Sequence, residues 1–256
     1  SWAHQEDRIL RLFRRKAQNL LTPIPAREDI FDWLALMQHY GAPTRLLDAT
    51  YSFFVALFFA VAGFKPEEAK AGPDVSPKEG KKAEHKSKGQ QHTHSCSVLA
   101  VDSKWLSDTL CEVLPNRKVR VLLDEGNPSL QKGAFHRVLM QECMPFVVAV
   151  NPFRLNDRLT AQQGVFLCPG DVTKPFVENL LTQRRHRGLS GHLCRLKIVI
   201  SREERNRILR ELHQMNATRA AFFPGLQGFA ESLTGSPVFL KHFAPKGASA
   251  GSATWR

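Results

Sequence analysis

The segment His39-Tyr40-Gly41-Ala42-Pro43-Thr44-Arg45-Leu46-Leu47-Asp48-Ala49-Thr50 gathers an imidazole, a phenol, a guanidinium, a carboxylate and two hydroxyls, then runs straight into the most apolar stretch of the chain, Tyr51 to Phe64. Before it, Ile30, Trp33, Leu34 and Met37 fall at i, i+3, i+4 and i+7, which predicts a helix opened by Asp29 and closed by Gly41 and Pro43. His39 and Tyr40 then occupy its last turn. Thr44 to Asp48 reads as a brief strand or an extended loop; if extended, Thr44, Leu46 and Asp48 share one side while Arg45 and Leu47 share the other. After it, Asp48, Thr50 or Ser52 can cap a helix reaching about Phe64, and because that helix lacks a polar face, other elements should cover it. A helix end, an extended segment and a helix start therefore meet at one polar cluster.

Working outward, Asp7 to Leu21 is predicted as an amphipathic helix, with Ile9, Leu10, Phe13, Ala17 and Leu20 inward and Arg8, Arg11, Arg15 and Lys16 outward. Residues 65–96 are dominated by Lys, Glu, Gly, Pro and Ser and read as a disordered insertion. His85, His92, His94 and Cys96 lie towards its end without a second ligand pair at metal spacing, so no metal is expected. Strands are predicted at Ser97 to Val101, Phe146 to Val150, a third ended by Pro169-Gly170, and Cys194 to Ile200. Helices are predicted at Lys104 to Leu114 and after the capping box Ser201-Arg202-Glu203-Glu204. Residues 115–141 carry no firm element, Phe222 to Leu233 reads as a turn into a last short helix, and 244–256 is a flexible tail. The sum is an α+β fold: a single mixed domain over 1–243, N-terminal helices packed on a small, mostly antiparallel or split sheet, interrupted by the insertion.

The chain has 256 residues, 43% of them hydrophobic, enough for a real core. The run from Tyr51 is too short to span a bilayer and is stopped by Lys65-Pro66-Glu67-Glu68, which excludes a membrane segment there. Ser1 reads as the start of a fragment or a processed chain, so other domains of a larger chain are expected partners. Five scattered cysteines without CxxC spacing read as free thiols, hence a cytoplasmic or nuclear location. The formal charge of +12 is concentrated between Gln183 and Arg210, where nine basic residues meet two acidic ones. That excess suits an anionic partner or a solvated face.

No Walker loop, GxGxxG, HExxH or GxSxG is present, so the commonest nucleotide, zinc-protease and hydrolase signatures are excluded. Each member of the polar cluster has a structural role open to it. His39 can satisfy orphan carbonyls in the last helical turn, Arg45 and Asp48 can form ion pairs with each other or with neighbours, Asp48 can cap a helix, and Tyr40 can be a core ring. Together they also make an anion-friendly place, since a helix N-terminus and an arginine both donate to phosphate.

The string Gln38 to Thr50, within Trp33 to Phe59, resembles the signature of the FRG domain family. Ala161-Gln162-Gln163-Gly164-Val165-Phe166 and Phe222-Phe223-Pro224-Gly225-Leu226-Gln227-Gly228 are similar to later parts of it, so the resemblance extends from Asp7 to Leu233. The Phe-Arg-Gly tripeptide and its N-terminal strand are missing, and Ala49 stands where the family usually has tryptophan. FRG domains resemble ADP-ribosyltransferases, which implies NAD as substrate, transfer of ADP-ribose to a protein or nucleic acid, and no metal. By that resemblance His39 and Arg45 would clamp the diphosphate, Tyr40 would stack the nicotinamide, Thr44 and Thr50 would complete the binding set, and Gln163 would face the cleft. Such transferases usually place a glutamate where this chain has Gln162-Gln163, so the catalytic carboxylate would be Asp48 or Glu231. The alternative is a non-catalytic recognition module in which Arg184, Arg185 and Arg187 bind nucleic acid or an acidic partner. A third is a degenerate structural domain.

Overall fold

The computed structural model describes residues 2–63, 94–114, 138–139, 143–152, 156–186 and 191–235. In order come helix α1 (Trp2–Ala17), helix α2 (Ile30–His39), strand β1 (Leu47–Thr50), helix α3 (Phe53–Ala62), strand β2 (His94–Val101), helix α4 (Ser103–Val113) and strand β3 (Val147–Val150). Helix α5 (Asp157–Ala161), strand β4 (Gly164–Pro169), helix α6 (Phe176–His186), strand β5 (Leu193–Ile200) and helices α7 (Arg202–Gln214), α8 (Arg219–Phe222) and α9 (Leu226–Gly235) follow. The fold is α+β, with two small sheets among the described residues. The chain divides into two units, Ser1–Ser52 with Leu99–Cys194 and Phe53–Val98 with Arg195–Arg256. Strands β2 and β5 pair in a two-stranded sheet, and the division falls within both.

The first unit is built on the antiparallel sheet β1-β4-β3, with Asp48 opposite Phe166 and Thr50 opposite Gly164. Both faces of that sheet are covered. Val148, Val150, Phe166 and Cys168 join Leu10, Trp33, Leu34 and Met37 of α1 and α2 in the larger core, while Val147, Ala149 and Leu167 pack with Trp105 and Leu106 of α4 and Leu180 of α6. Successive strand side chains point to opposite faces, so a sheet covered on both sides requires the unbroken apolar run Phe146 to Val150. The exposed edge of β3 is closed by one side chain. Gln183 of α6, fully buried, accepts from the Val147 N–H at 2.9 Å and donates to the Val147 carbonyl at 2.9 Å, as a further strand would.

Helix α1 starts earlier and stops earlier than the apolar period predicts. At Gln18–Leu20 the backbone turns, Leu20 and Leu21 both donate to the Ala17 carbonyl, and Leu20 lies 67% exposed rather than inward. Helix α2 agrees with its predicted limits, although Asp29 makes no side-chain cap bond. Its end is a Schellman motif: Ala42 donates to the Met37 carbonyl at 2.9 Å, Gly41 donates to the Gln38 carbonyl at 3.0 Å, and Gly41 has φ +76.

In the second unit α3 buries Val55 and Phe58 against Leu212 of α7 and Phe222 of α8. Arg205 donates to the Val61 carbonyl at 3.0 Å and to the Ala62 carbonyl at 3.3 Å, meeting the free end of the helix. Leu57 and Ala62 pack against the same cluster and Phe59 lies against Phe222 and Phe223, while Phe53 and Phe54 are half exposed, so among the described residues α3 is not covered all round, contrary to expectation. The capping box is present, with Ser201 and Glu204 exchanging bonds across the first turn of α7. Gly228 lies so close to Phe223 that a Cβ would sit 1.9 Å from its carbonyl oxygen, which accounts for the glycine in the Phe222 to Gly228 motif.

His94 to Cys96 begin β2 instead of ending a disordered insertion. The rest of that insertion, the tail 244–256, and all of 115–141 but Val138 and Leu139 lie outside the described residues. Among the described residues no helix is long and apolar enough to cross a membrane.

Candidate functional site

A cleft of about 280 Å³ opens in the first unit where the end of α2, strand β1 and the α5–β4 turn meet. Its polar lining is Gln38 and His39 from α2, Asp48 from β1, and Asn156, Arg158 and Gln162 from α5 and its flanks; Ala35, Leu159 and Phe166 supply the apolar part. The Schellman turn sets the first pair, because the chain reverses at Gly41 and leaves the last turn of α2 beside β1. The second set depends on a short helix. Asn156 caps α5 by accepting from the Leu159 N–H at 2.7 Å, and α5 ends when Gln163 enters the left-handed region at φ +46. Gly164 follows because a Cβ there would lie 2.3 Å from the Leu159 side chain.

That one left-handed residue decides which glutamine faces the cleft. Gln162 is buried and lines it, whereas Gln163 is exposed and accepts from the Tyr51 N–H at 3.0 Å through its backbone. The expectation that Gln163 looks into the cleft is thus displaced by one position. Thr50 locks the arrangement, donating to the Gln162 carbonyl at 2.7 Å and accepting from the Ser52 N–H at 2.9 Å.

Gln38 links α2 to β1. Its Nε2 donates to the Leu46 carbonyl at 3.2 Å and to Asp48 Oδ1 at 3.0 Å, and its Oε1 accepts from the Thr44 hydroxyl. Thr44 and Asp48 therefore share the Gln38 side of the extended segment, as the strand alternation predicts. Asp48 sits within β1 and bonds Gln38, so it is not a helix cap.

Arg45 is turned the other way. Its guanidinium has no exposed side-chain surface and forks onto Glu6, with Nε donating to both carboxylate oxygens at 3.0 Å. Nη1 donates to the carbonyls of Leu139, Pro169 and Gly170 at 3.1 to 3.3 Å. Burial works against its charge, and the Glu6 hydrogen bonds more than offset that, so the guanidinium is held above its usual range. The clamp expected of Arg45 is instead a buried ion pair with a neighbour. Beside it the Cys168 thiol is pushed up to about 12 by burial.

His39 lines the cleft and meets Tyr40 edge-on at 5.1 Å, while Tyr40 itself is 56% exposed, near Phe13, and outside the cleft lining. Glu231 belongs to the second unit, where the Arg219 and Gln227 hydrogen bonds hold its carboxyl below the usual range. Arg184 and Arg185 fall in the last turn of α6, and Arg187 lies outside the described residues. Of the expected set, the cleft brings together His39 and Asp48, with Thr44 behind them through Gln38. Gln38, Asn156, Arg158 and Gln162 are outside the expected set, although Gln38 adjoins His39 and Gln162 adjoins Gln163 in the Gln162-Gln163-Gly164 turn. Among the described residues no group of three or more His, Cys, Asp or Glu could hold a metal ion.

The family model of the FRG domain matches residues 1–69. That span contains Gln38, His39, Thr44, Arg45 and Asp48 but not Asn156, Arg158 or Gln162, so the matched part supplies one wall of the cleft. No curated protein and no solved structure matches the chain.

Proposed function

We propose that this cleft is a nucleotide-binding site that takes NAD or a related nucleotide, as an ADP-ribosyltransferase-like reading of the FRG domain implies. The observation that carries it is the convergence of His39, Asp48, Arg158 and Gln162 from separate parts of the chain on one concave surface. Arg158 and His39 suit an anionic phosphate, the amides suit a base edge or carboxamide, and Asp48 suits hydroxyl donors. The cleft is open to solvent, so a dinucleotide would lie partly over the surface beside it.

For transfer of ADP-ribose, a carboxylate must face the ribose as positive charge develops. Asp48 is the one carboxylate among the lining residues. Calorimetry with NAD, ADP-ribose and AMP, followed by incubation with labelled NAD plus DNA, RNA and protein acceptors, tests both halves of the proposal. Binding that is lost in Arg158→Ala and Asp48→Ala supports the site. No binding of any of the three nucleotides at millimolar concentration refutes it, and binding without label transfer or hydrolysis reduces it to recognition.

A further inference from the structure

We infer that Gln38 is a positioning residue of this cleft, holding the Asp48 carboxylate by one oxygen so that the other is presented to the ligand. The inference rests on the nucleotide reading of the site. The orientation of the Gln38 amide follows from its partners. The Leu46 carbonyl and Asp48 Oδ1 are acceptors only, and both face the same nitrogen, at 3.2 and 3.0 Å. Oε1 must then face Thr44. The Thr44 oxygen itself accepts from the Leu46 N–H at 3.3 Å, which directs its proton to Gln38.

The result is a run of donors from Leu46 N–H through the Thr44 hydroxyl to the Gln38 amide, ending on a charged acceptor, and such runs strengthen one another. Both Nε2 protons are committed, so Gln38 cannot offer its nitrogen to a ligand without releasing Asp48. It therefore acts through Asp48. Asp48 Oδ2 has no hydrogen-bond partner among the described residues, and Asp48 lines the open cleft, which leaves that oxygen to accept from a hydroxyl or amide donor of the nucleotide.

The test uses the whole chain, with glutamine side chains labelled with ¹⁵N, in wild-type, Asp48→Ala and Gln38→Glu forms. The wild type should show a Gln38 amide pair that exchanges slowly with solvent, and Asp48→Ala should move one of its protons towards the free-amide position. Gln38→Glu keeps the shape but replaces a donor by an acceptor. Its Kd for NAD at about pH 8 should rise about tenfold, the equivalent of losing one hydrogen bond to a charged group. At about pH 5 a proton shared between the two facing carboxyls restores a donor, so the difference in affinity between the variant and the wild type should largely close, the His39 and Arg158 side chains of the same cleft being common to both proteins. A Gln38 pair that exchanges like a free amide, or a Gln38→Glu protein that binds NAD as the wild type does at both pH values, overturns the inference. If the wild type binds no NAD while its Gln38 pair is protected and responds to Asp48→Ala, the positioning of Asp48 stands and the nucleotide reading fails.

Discussion

Arg45→Ala should be the most damaging single change in the first unit, and its cost can be worked from the ion pair. The Arg45 side chain is fully buried, the Glu6 side chain is 9% exposed, and three backbone carbonyls depend on the same guanidinium. Removing one partner of a buried pair leaves an uncompensated charge and costs about 3–5 kcal/mol. A domain of this kind has a total stability of about 5–15 kcal/mol, so the variant loses a large part of it. At about 2–4 °C per kcal/mol for a chain of 150–250 residues, the melting temperature should fall by about 6–20 °C. Urea unfolding followed by tryptophan fluorescence suits the measurement, because Trp33 and Trp105 are both buried in this unit. Arg45→Lys keeps the charge but cannot fork onto Glu6 and reach the carbonyls, and should lose about 1–3 kcal/mol. Glu6→Met with Arg45→Met, which removes both charges, should be closer to wild type than either single change. Arg45→Lys should also bind NAD with wild-type affinity, since Arg45 is outside the cleft lining. A loss below about 1 kcal/mol in Arg45→Ala, or a double variant worse than the sum of the singles, would refute this account of the pair.

Four other outcomes follow from particular residues. Gln183→Leu should cost about 2–4 kcal/mol in urea unfolding, because it strands the N–H and carbonyl of Val147 in the core. Gly41→Ala should cost about 1–2 kcal/mol from its left-handed backbone alone, since nothing lies within 4 Å of the added carbon. At about pH 8 iodoacetamide should label the exposed Cys111 and Cys194 and leave Cys168 unmodified until the chain unfolds. The raised folded value of Cys168 also means that its contribution to stability is intact below the ordinary thiol range and falls as pH rises from there towards about 12, which alkaline melting curves of Cys168→Ala against wild type would show.

The sequence alone was enough for local chemistry and periodicity. The 3.6-residue stripe of Ile30, Trp33, Leu34 and Met37, the glycine at 41 and the capping box at Ser201 specify their elements through nearest neighbours, and the elements formed where those signals place them. The polar cluster from His39 to Thr50 was legible for the same reason, and it lies within the span the FRG model matches, which stops at residue 69 and does not reach the later parts of the resemblance at Ala161 to Phe166 and Phe222 to Gly228. What it could not specify was direction. Whether Arg45 faces solvent or core depends on Glu6, thirty-nine positions away, and on carbonyls of Leu139, Pro169 and Gly170, which are brought to it only when the sheet closes. Whether Gln162 or Gln163 enters the cleft depends on one left-handed residue, and a shift of a single position there exchanges the two side chains. Arg158 and Asn156 line the same cleft as Asp48 only because β1 pairs with β4, an association between segments more than a hundred residues apart. Local signals follow from the chain's own geometry, whereas burial and pairing across distance exist only once the core has formed, and the cleft is made of the latter.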